Sequence, residues 1–418
     1  MKALSALARM WLTRSVRPFE FTNNNDKKID IEKNESLGLY IHIPFCESIC
    51  SFCPYCKELY NAEKCNKYVD ALIREIHIVG NTLKTKKHIT SVYFGGGTPA
   101  LIADRLEEII GNLRRYFIIH DGIGIELHPD NVNTETLCVL KASGITKISI
   151  GIQSFQHKFL SVLGRKKLPN YAKMSEALKA VSFETVSMDF IFSLPNQTIS
   201  DIKRDIETAF AIGANHVALY PFIQFDFTKN KIPTADKRRK HRLMDELSDY
   251  CQSKGYHQDS IWTFSKNSSA QYSSMTRDNY LGFGCSAVTL LYDSFKINTF
   301  SVEAYIKCIR HDKLATSLTL RFSRRQRMIY YLFWKFYSMS VCSSEFREFF
   351  GISLEKSYGV ELSLGRLLNL ITKNNDRYTL TPKGVFYFHY FENYFTLSYI
   401  EKMWGLMRMS AFPKKMKL

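Results

Sequence analysis

The sequence lacks several features that would place it in simple classes. No stretch of about 18 apolar residues runs without a charge, which excludes a membrane-spanning helix. No internal repeat shows beyond an alternating strand–helix unit, and no low-complexity tract is present. Residues 1–19 carry Lys2, Arg9, Arg14 and Arg17 but no acid, and they lack the apolar centre of a secretory signal. A short basic helix leading into the domain suits them better than a transit peptide. The cysteines do not form a framework spread through a short chain, which argues against a disulfide scaffold. No CxxC pair occurs outside 46–56, so the usual two-pair structural zinc site is missing.

What is present is a chain of 418 residues, 45% apolar, enough for a sizeable core. That length suggests one large domain with a smaller one. Lys and Arg number 57 against 40 acids, a formal charge of +17. Such a surplus favours anionic partners such as nucleic acid, acidic lipid or a carboxylate-bearing substrate, and equally fits a lysine-rich solvated surface.

Short β-branched runs at 39–43, 91–94, 123–127, 147–152, 185–191 and 216–220 predict strands. Amphipathic segments at 65–79, 103–116, 133–142, 171–181 and 200–212 predict the helices between them. Six βα units imply a parallel sheet, curved into an open partial barrel, with chemistry at the carboxyl ends of its strands. Residues 23–33 are polar and read as a linker, and 229–242 read as a basic loop entering a helix. A glycine-rich run, 280–287, closes the region. Beyond about Phe322 an aromatic helix follows, then a short strand and a helix capped by Thr381 with Pro382 at its first position. That order is winged-helix-like. The expected division is 1–37 as basic helix and linker, 38–290 as core, and 291–418 as a mostly helical covering domain.

Four of the ten cysteines crowd into 46–56. Cys46, Cys50 and Cys53, spaced x3 and x2, can wrap one face of an iron–sulfur cubane and leave one iron free to chelate a substrate. Thiolates equally suit zinc. Cys56 would complete four ligands, but four within so short a stretch would be cramped. Further along, Gly95, Gly96 and Gly97 follow a strand and precede Thr98. Three glycines there allow a ligand to approach the backbone closely, or simply make a tight turn.

The segment Tyr40-Ile41-His42-Ile43-Pro44-Phe45-Cys46, with Cys50-Ser51-Phe52-Cys53 after it, resembles the signature of radical S-adenosylmethionine enzymes. It is most similar to the branch containing oxygen-independent coproporphyrinogen III oxidase, the related heme chaperone and the anaerobic heme-utilisation enzymes. The resemblance continues in order from about Leu39 to Ala287. It implies a 4Fe–4S cluster on the three cysteines and S-adenosylmethionine as cofactor. It implies that Gly95, Gly96, Gly97 and Thr98 hold the methionine amino group, with Glu126 contacting the cofactor. Gln153 and Arg165 match positions for ribose and carboxylate contacts, and Asp189 matches a second ribose contact. Tyr40 and Phe52 would pack on cluster or adenine. Asn196 replaces a family glycine, a mild change because Asn tolerates positive φ. His128 and Asp130 read as turn residues.

The resemblance implies reductive cleavage of the cofactor to a 5′-deoxyadenosyl radical, with flavodoxin or ferredoxin as electron donor, in the cytoplasm. Its branch is less sharply marked. Tyr55 stands where the oxidases carry a further cysteine, and Cys53-Pro54-Tyr55 looks closer to the heme-utilisation enzymes. The substrate expected is a tetrapyrrole. A heme-binding chaperone without turnover and a C-methyltransferase binding a second S-adenosylmethionine are the alternatives. Nucleic acid is the less favoured partner. The aromatic tail, Phe386 to Trp404, reads either as packed core or as a lid over a flat substrate, and His389 as a conceivable heme ligand.

Overall fold

The computed structural model describes residues 2–23, 29, 31–32, 37–168, 170–228, 231–233, 237–266 and 278–418. The linker read at 23–33 and the start of the basic loop at 229–242 fall largely outside them.

Six strands follow one another along the chain: β1 (Leu37–Ile43), β2 (Val92–Gly96), β3 (Ile123–Leu127), β4 (Lys147–Gln153), β5 (Thr185–Phe192) and β6 (His216–Pro221). Each lies parallel to the next. Nearly half of their residues are Val, Ile, Leu or Phe because helices cover the sheet, and a strand buried on both faces tolerates few polar side chains. The helices Ala62–Gly80, Leu106–Tyr116, Thr134–Ala142, Tyr171–Ala180 and Ile199–Ile212 fall within three residues of the predicted segments. Caps fix their starts. Asn61 accepts from the Lys64 amide, and Thr198 with Asp201 forms a reciprocal capping box.

The glycine-rich run forms β7 (Asn279–Phe283), which pairs parallel to the free edge of β1 with Gly282 opposite Tyr40. From β7 the sheet continues antiparallel through Val288–Leu290, Ser294–Asn298, Thr316–Arg321, Glu20–Thr22 and Lys415–Lys417. On the other flank Thr263–Ser265 and His257–Gln258 follow β6. The two ends of this order do not pair, so the barrel is open, as expected from six βα units.

Beyond Phe322 the winged arrangement is present. Helix Arg324–Tyr337 leads into strand Ser340–Cys342, helices Ser343–Phe350 and Leu354–Leu367, and the hairpin Ile371–Asn374 with Arg377–Leu380. Tyr331, Phe346, Phe350, Leu354 and Tyr358 form a core of their own there. Thr381 caps the helix Pro382–Phe395 through the Gly384 amide, as read. The aromatic tail is partly buried and partly exposed. Phe386 and His389 are buried, whereas Tyr387, Tyr390 and Phe391 are exposed. His389 is buried and lies edge-on to Trp262. Among the described residues no helix is long and apolar enough to cross a membrane.

Candidate metal and cofactor site

The cysteine loop leaves the carboxyl end of β1 and is held there by backbone hydrogen bonds. The Glu58 amide donates to Pro44 O at 2.7 Å and the Tyr60 amide to Cys46 O at 2.9 Å. Inside the loop the Cys53 amide reaches Cys50 O at 3.4 Å, so a turn links the second and third thiols. Burial pushes the Cys46 thiol up to about 11; a Thr98 hydrogen bond opposes this, and Cys53 and Cys50 add to it. The three thiols are spread beyond single-ion size: among the described residues only His42, Cys56 and Cys285 bring ligand atoms within 4.8 Å of one another. A zinc ion needs thiolates about 3.8 Å apart, whereas a polynuclear cluster spans more. The three-thiolate donor set fits an iron–sulfur cluster that keeps one iron open.

The loop after β2 lies directly beside Cys46. The Gly97 amide donates to Ile43 O and the Thr98 amide to Phe45 O, both at 2.7 Å. This approach requires glycine. A Cβ on Gly97 would fall 2.5 Å from Phe45 O and 2.9 Å from Cys46 Sγ.

Glu126, near the end of β3, accepts from the Gly96 amide and from the Tyr93 hydroxyl, each at 3.0 Å. Burial raises its pKa against those two hydrogen bonds. Asp189 on β5 accepts from Ser149 Oγ at 2.8 Å and Ser187 Oγ at 3.3 Å. Burial pushes Asp189 up to about 7, the serine hydrogen bonds pull it back, and Glu126 adds repulsion. Two half-buried carboxyls at neighbouring strand ends form a site that gains from a cationic ligand.

Tyr40 stacks on Tyr93 with ring centroids 6.4 Å apart and donates or accepts at His42 Nδ1 over 3.0 Å. Gln153 ends β4 with φ of +69°, a conformation that turns it off the strand line. Its amide nitrogen approaches Gly151, and Arg165 donates to Gly151 O, so the two converge on one residue. Phe52 packs against the buried cluster of Phe159, Leu163, Leu194, Phe222 and Ile232. Asn196 has φ of +58°, the conformation its replacement of glycine requires. His128 accepts from the Asp130 amide and is a turn residue, as read.

A cavity of about 610 Å³ adjoins the loop, lined by Cys50, Cys53, Tyr55, Cys56, Phe300 and Arg408 among others. The helix Glu401–Met409 closes one side of it. Arg408 donates to Pro54 O and lies over the Phe227 ring, and Trp404 approaches Tyr55. Sequence reasoning did not connect this last helix to the cysteines, because the chain separates them by some 350 residues. It also missed Cys285 beside Cys56. The signal was the glycine-rich run, which had to be pressed against something.

Comparison with known proteins bears on this geometry. Residues 40–209 match the radical SAM superfamily model. The chain carries a radical SAM domain. Members of that superfamily bind a 4Fe–4S cluster and S-adenosylmethionine. The heme chaperone HemW of Bacillus subtilis (strain 168) is 27% identical over 286 residues, covering 65% of this chain and 75% of that protein. Anaerobilin synthase of Escherichia coli O157:H7 is 36% identical over 187 residues, 44% of this chain and 42% of its own. The structure of coproporphyrinogen III oxidase (HemN) from Escherichia coli superposes with a TM-score of 0.73 at 19% identity, covering 91% of this chain and 96% of the other. The radical SAM domain thus sits in a fold shared along nearly the whole chain.

Proposed function

We propose that this chain is a radical S-adenosylmethionine enzyme acting on a tetrapyrrole, with a 4Fe–4S cluster held by Cys46, Cys50 and Cys53. The observation that carries it is the convergence of three loop thiols, an open glycine backbone and two half-buried carboxyls at the same strand ends. When bound, the reduced cluster and S-adenosylmethionine supply a 5′-deoxyadenosyl radical. The protein's own residues position and enclose. Gly95, Gly96, Gly97 and Thr98 offer backbone to the methionine amino group, and Glu126 offers it negative charge. Asp189 and Gln153 face ribose, and Arg165 faces the carboxylate. Tyr40 lines the wall beside Gly95. Residues 38–290 carry this chemistry and residues 291–418 cover the substrate, with Trp404 and Tyr55 offering aromatic faces and Arg408 a partner for a propionate. Flavodoxin or ferredoxin in the cytoplasm would supply the electron, and nucleic acid is not the partner.

A heme chaperone is the second reading, favoured by the likeness to HemW over three-quarters of that protein's length. One experiment separates the two. Anaerobically reconstituted protein is incubated with dithionite and S-adenosylmethionine, with heme and coproporphyrinogen in parallel. The enzyme reading expects 5′-deoxyadenosine and a tetrapyrrole of changed mass. Heme binding with no 5′-deoxyadenosine in either arm would establish the chaperone reading instead. A product heavier by a methyl group would mark a methyltransferase.

A further inference from the structure

His42, Cys56 and Cys285 are not among the three cluster cysteines and have no role in the proposed reaction. All three are buried, and their ligand atoms lie within 4.8 Å of one another. They come from three different segments: β1, the end of the cysteine loop, and the turn after β7. We propose that these residues form a separate metal site, for one zinc-class cation with tetrahedral coordination, beside the three-cysteine site.

The donor chemistry is right for such an ion. Two thiolates and a neutral imidazole are a common zinc set, and their charge offsets a divalent cation in a buried place. Zinc–sulfur bonds of about 2.3 Å put two thiolates about 3.8 Å apart. The group as it stands therefore needs to close by about 1 Å at most. On binding, two thiol protons leave to solvent and two metal–sulfur bonds form, with no change of oxidation state. Cys56 also lines the 610 Å³ cavity, so a fourth ligand has access from that side.

The surroundings are built to hold the three ligands still. His42 has one ring nitrogen 3.0 Å from the Tyr40 hydroxyl, the kind of outer partner that orients a metal-bound histidine. Its other nitrogen lies 3.1 Å from Cys56 O and gives up that contact to become the metal ligand, its proton passing to the nitrogen that faces Tyr40. The turn bearing Cys285 is pinned on both sides. The Gly284 amide donates to Glu75 at 2.7 Å, the Cys285 amide to Tyr68 Oη at 3.0 Å, and Asn298 to Gly284 O at 2.9 Å. Gly284 has φ of +97°, and a Cβ there would fall 2.4 Å from Tyr68 Oη and 2.7 Å from His42 O. Only glycine lets this turn press Cys285 against β1. A cation here would clamp the far end of the cysteine loop onto β1 and β7.

The test uses the full chain, reconstituted anaerobically with iron and sulfide, then titrated with Co²⁺ as a spectroscopic stand-in for zinc. The expected result is the intense visible ligand-field absorption of tetrahedral, sulfur-bound cobalt, saturating at about one equivalent and bleached by zinc. Cys285→Ser should abolish that absorption while the iron content stays at wild-type level, which also shows that the variant folds. Cys56→Ser is the second variant, with the same expectation. No cobalt absorption, or absorption unchanged in both variants, overturns the site. So does finding Cys56 and Cys285 joined as a disulfide in protein isolated anaerobically.

Discussion

Gly97 lies so close to Cys46 that any added Cβ would come within 2.9 Å of the thiol sulfur. The glycine loop and the cysteine loop are thus one surface. The nearest obstacle is the Phe45 carbonyl at 2.5 Å, which is backbone and cannot swing aside. Gly97→Ala should therefore cost about 1–3 kcal/mol of stability. It should also lower iron retention after reconstitution. Thermal unfolding and iron analysis read the two effects; full iron loading with an unchanged melting temperature would contradict this geometry.

Cys53→Ala should lose essentially all bound iron and all 5′-deoxyadenosine formation. It should keep its fold, because Cys53 is a loop residue of intermediate exposure whose side chain is not part of the hydrophobic core. Iron analysis with circular dichroism reads this. Retention of iron would point to a ligand other than Cys53.

Glu126→Gln keeps the shape and an acceptor for Gly96 but removes the charge. A charge-assisted hydrogen bond contributes about 1.5–3 kcal/mol. S-adenosylmethionine affinity should fall by roughly tenfold or more while iron content is unchanged. Calorimetric titration of the reconstituted protein measures it.

Asp189 is held up to about 7 from an ordinary 3.8, chiefly by burial. A carboxyl raised in the fold favours its neutral form there. Its contribution to stability is present below pH 3.8 and is lost as pH rises through about 7. In cofactor-free protein Asp189→Asn should remove this component, so the variant gains in relative melting temperature as pH rises across that window. Parallel melts of both proteins show it, and equal pH slopes would refute it.

Arg408 reaches Pro54 O from the last helix and lies over Phe227, 4.3 Å from the ring centroid. Arg408→Ala should free the cysteine loop and speed iron loss in air several-fold. Arg408→Lys should restore this only partly, because an ammonium lacks the planar fork. The decay of cluster absorbance follows it.

The six strands and their helices were legible because each is a local pattern. Apolar runs buried on both faces, punctuated by caps such as Asn61 and Thr198, carry their period in a few residues. Thr381 with Pro382 was legible for the same reason. The expected site residues fall at strand ends, and parallel strands deliver their carboxyl ends to one side. Phe52 was not placed by that logic. Its side chain packs against the cluster of Phe159 and Leu163, contacts far along the chain that no local pattern shows.

What the sequence determined by itself is the parallel core and the three thiols at its first strand end, because spacing and periodicity are properties of neighbours in the chain. What only the tertiary structure decided is which distant groups close around them. Cys285 meets Cys56 and His42 because β7 pairs with β1 and Gly284 allows contact, and Arg408 meets Pro54 because the last helix folds back. Such meetings depend on strand pairing and on the fit of buried surfaces, which no local pattern encodes.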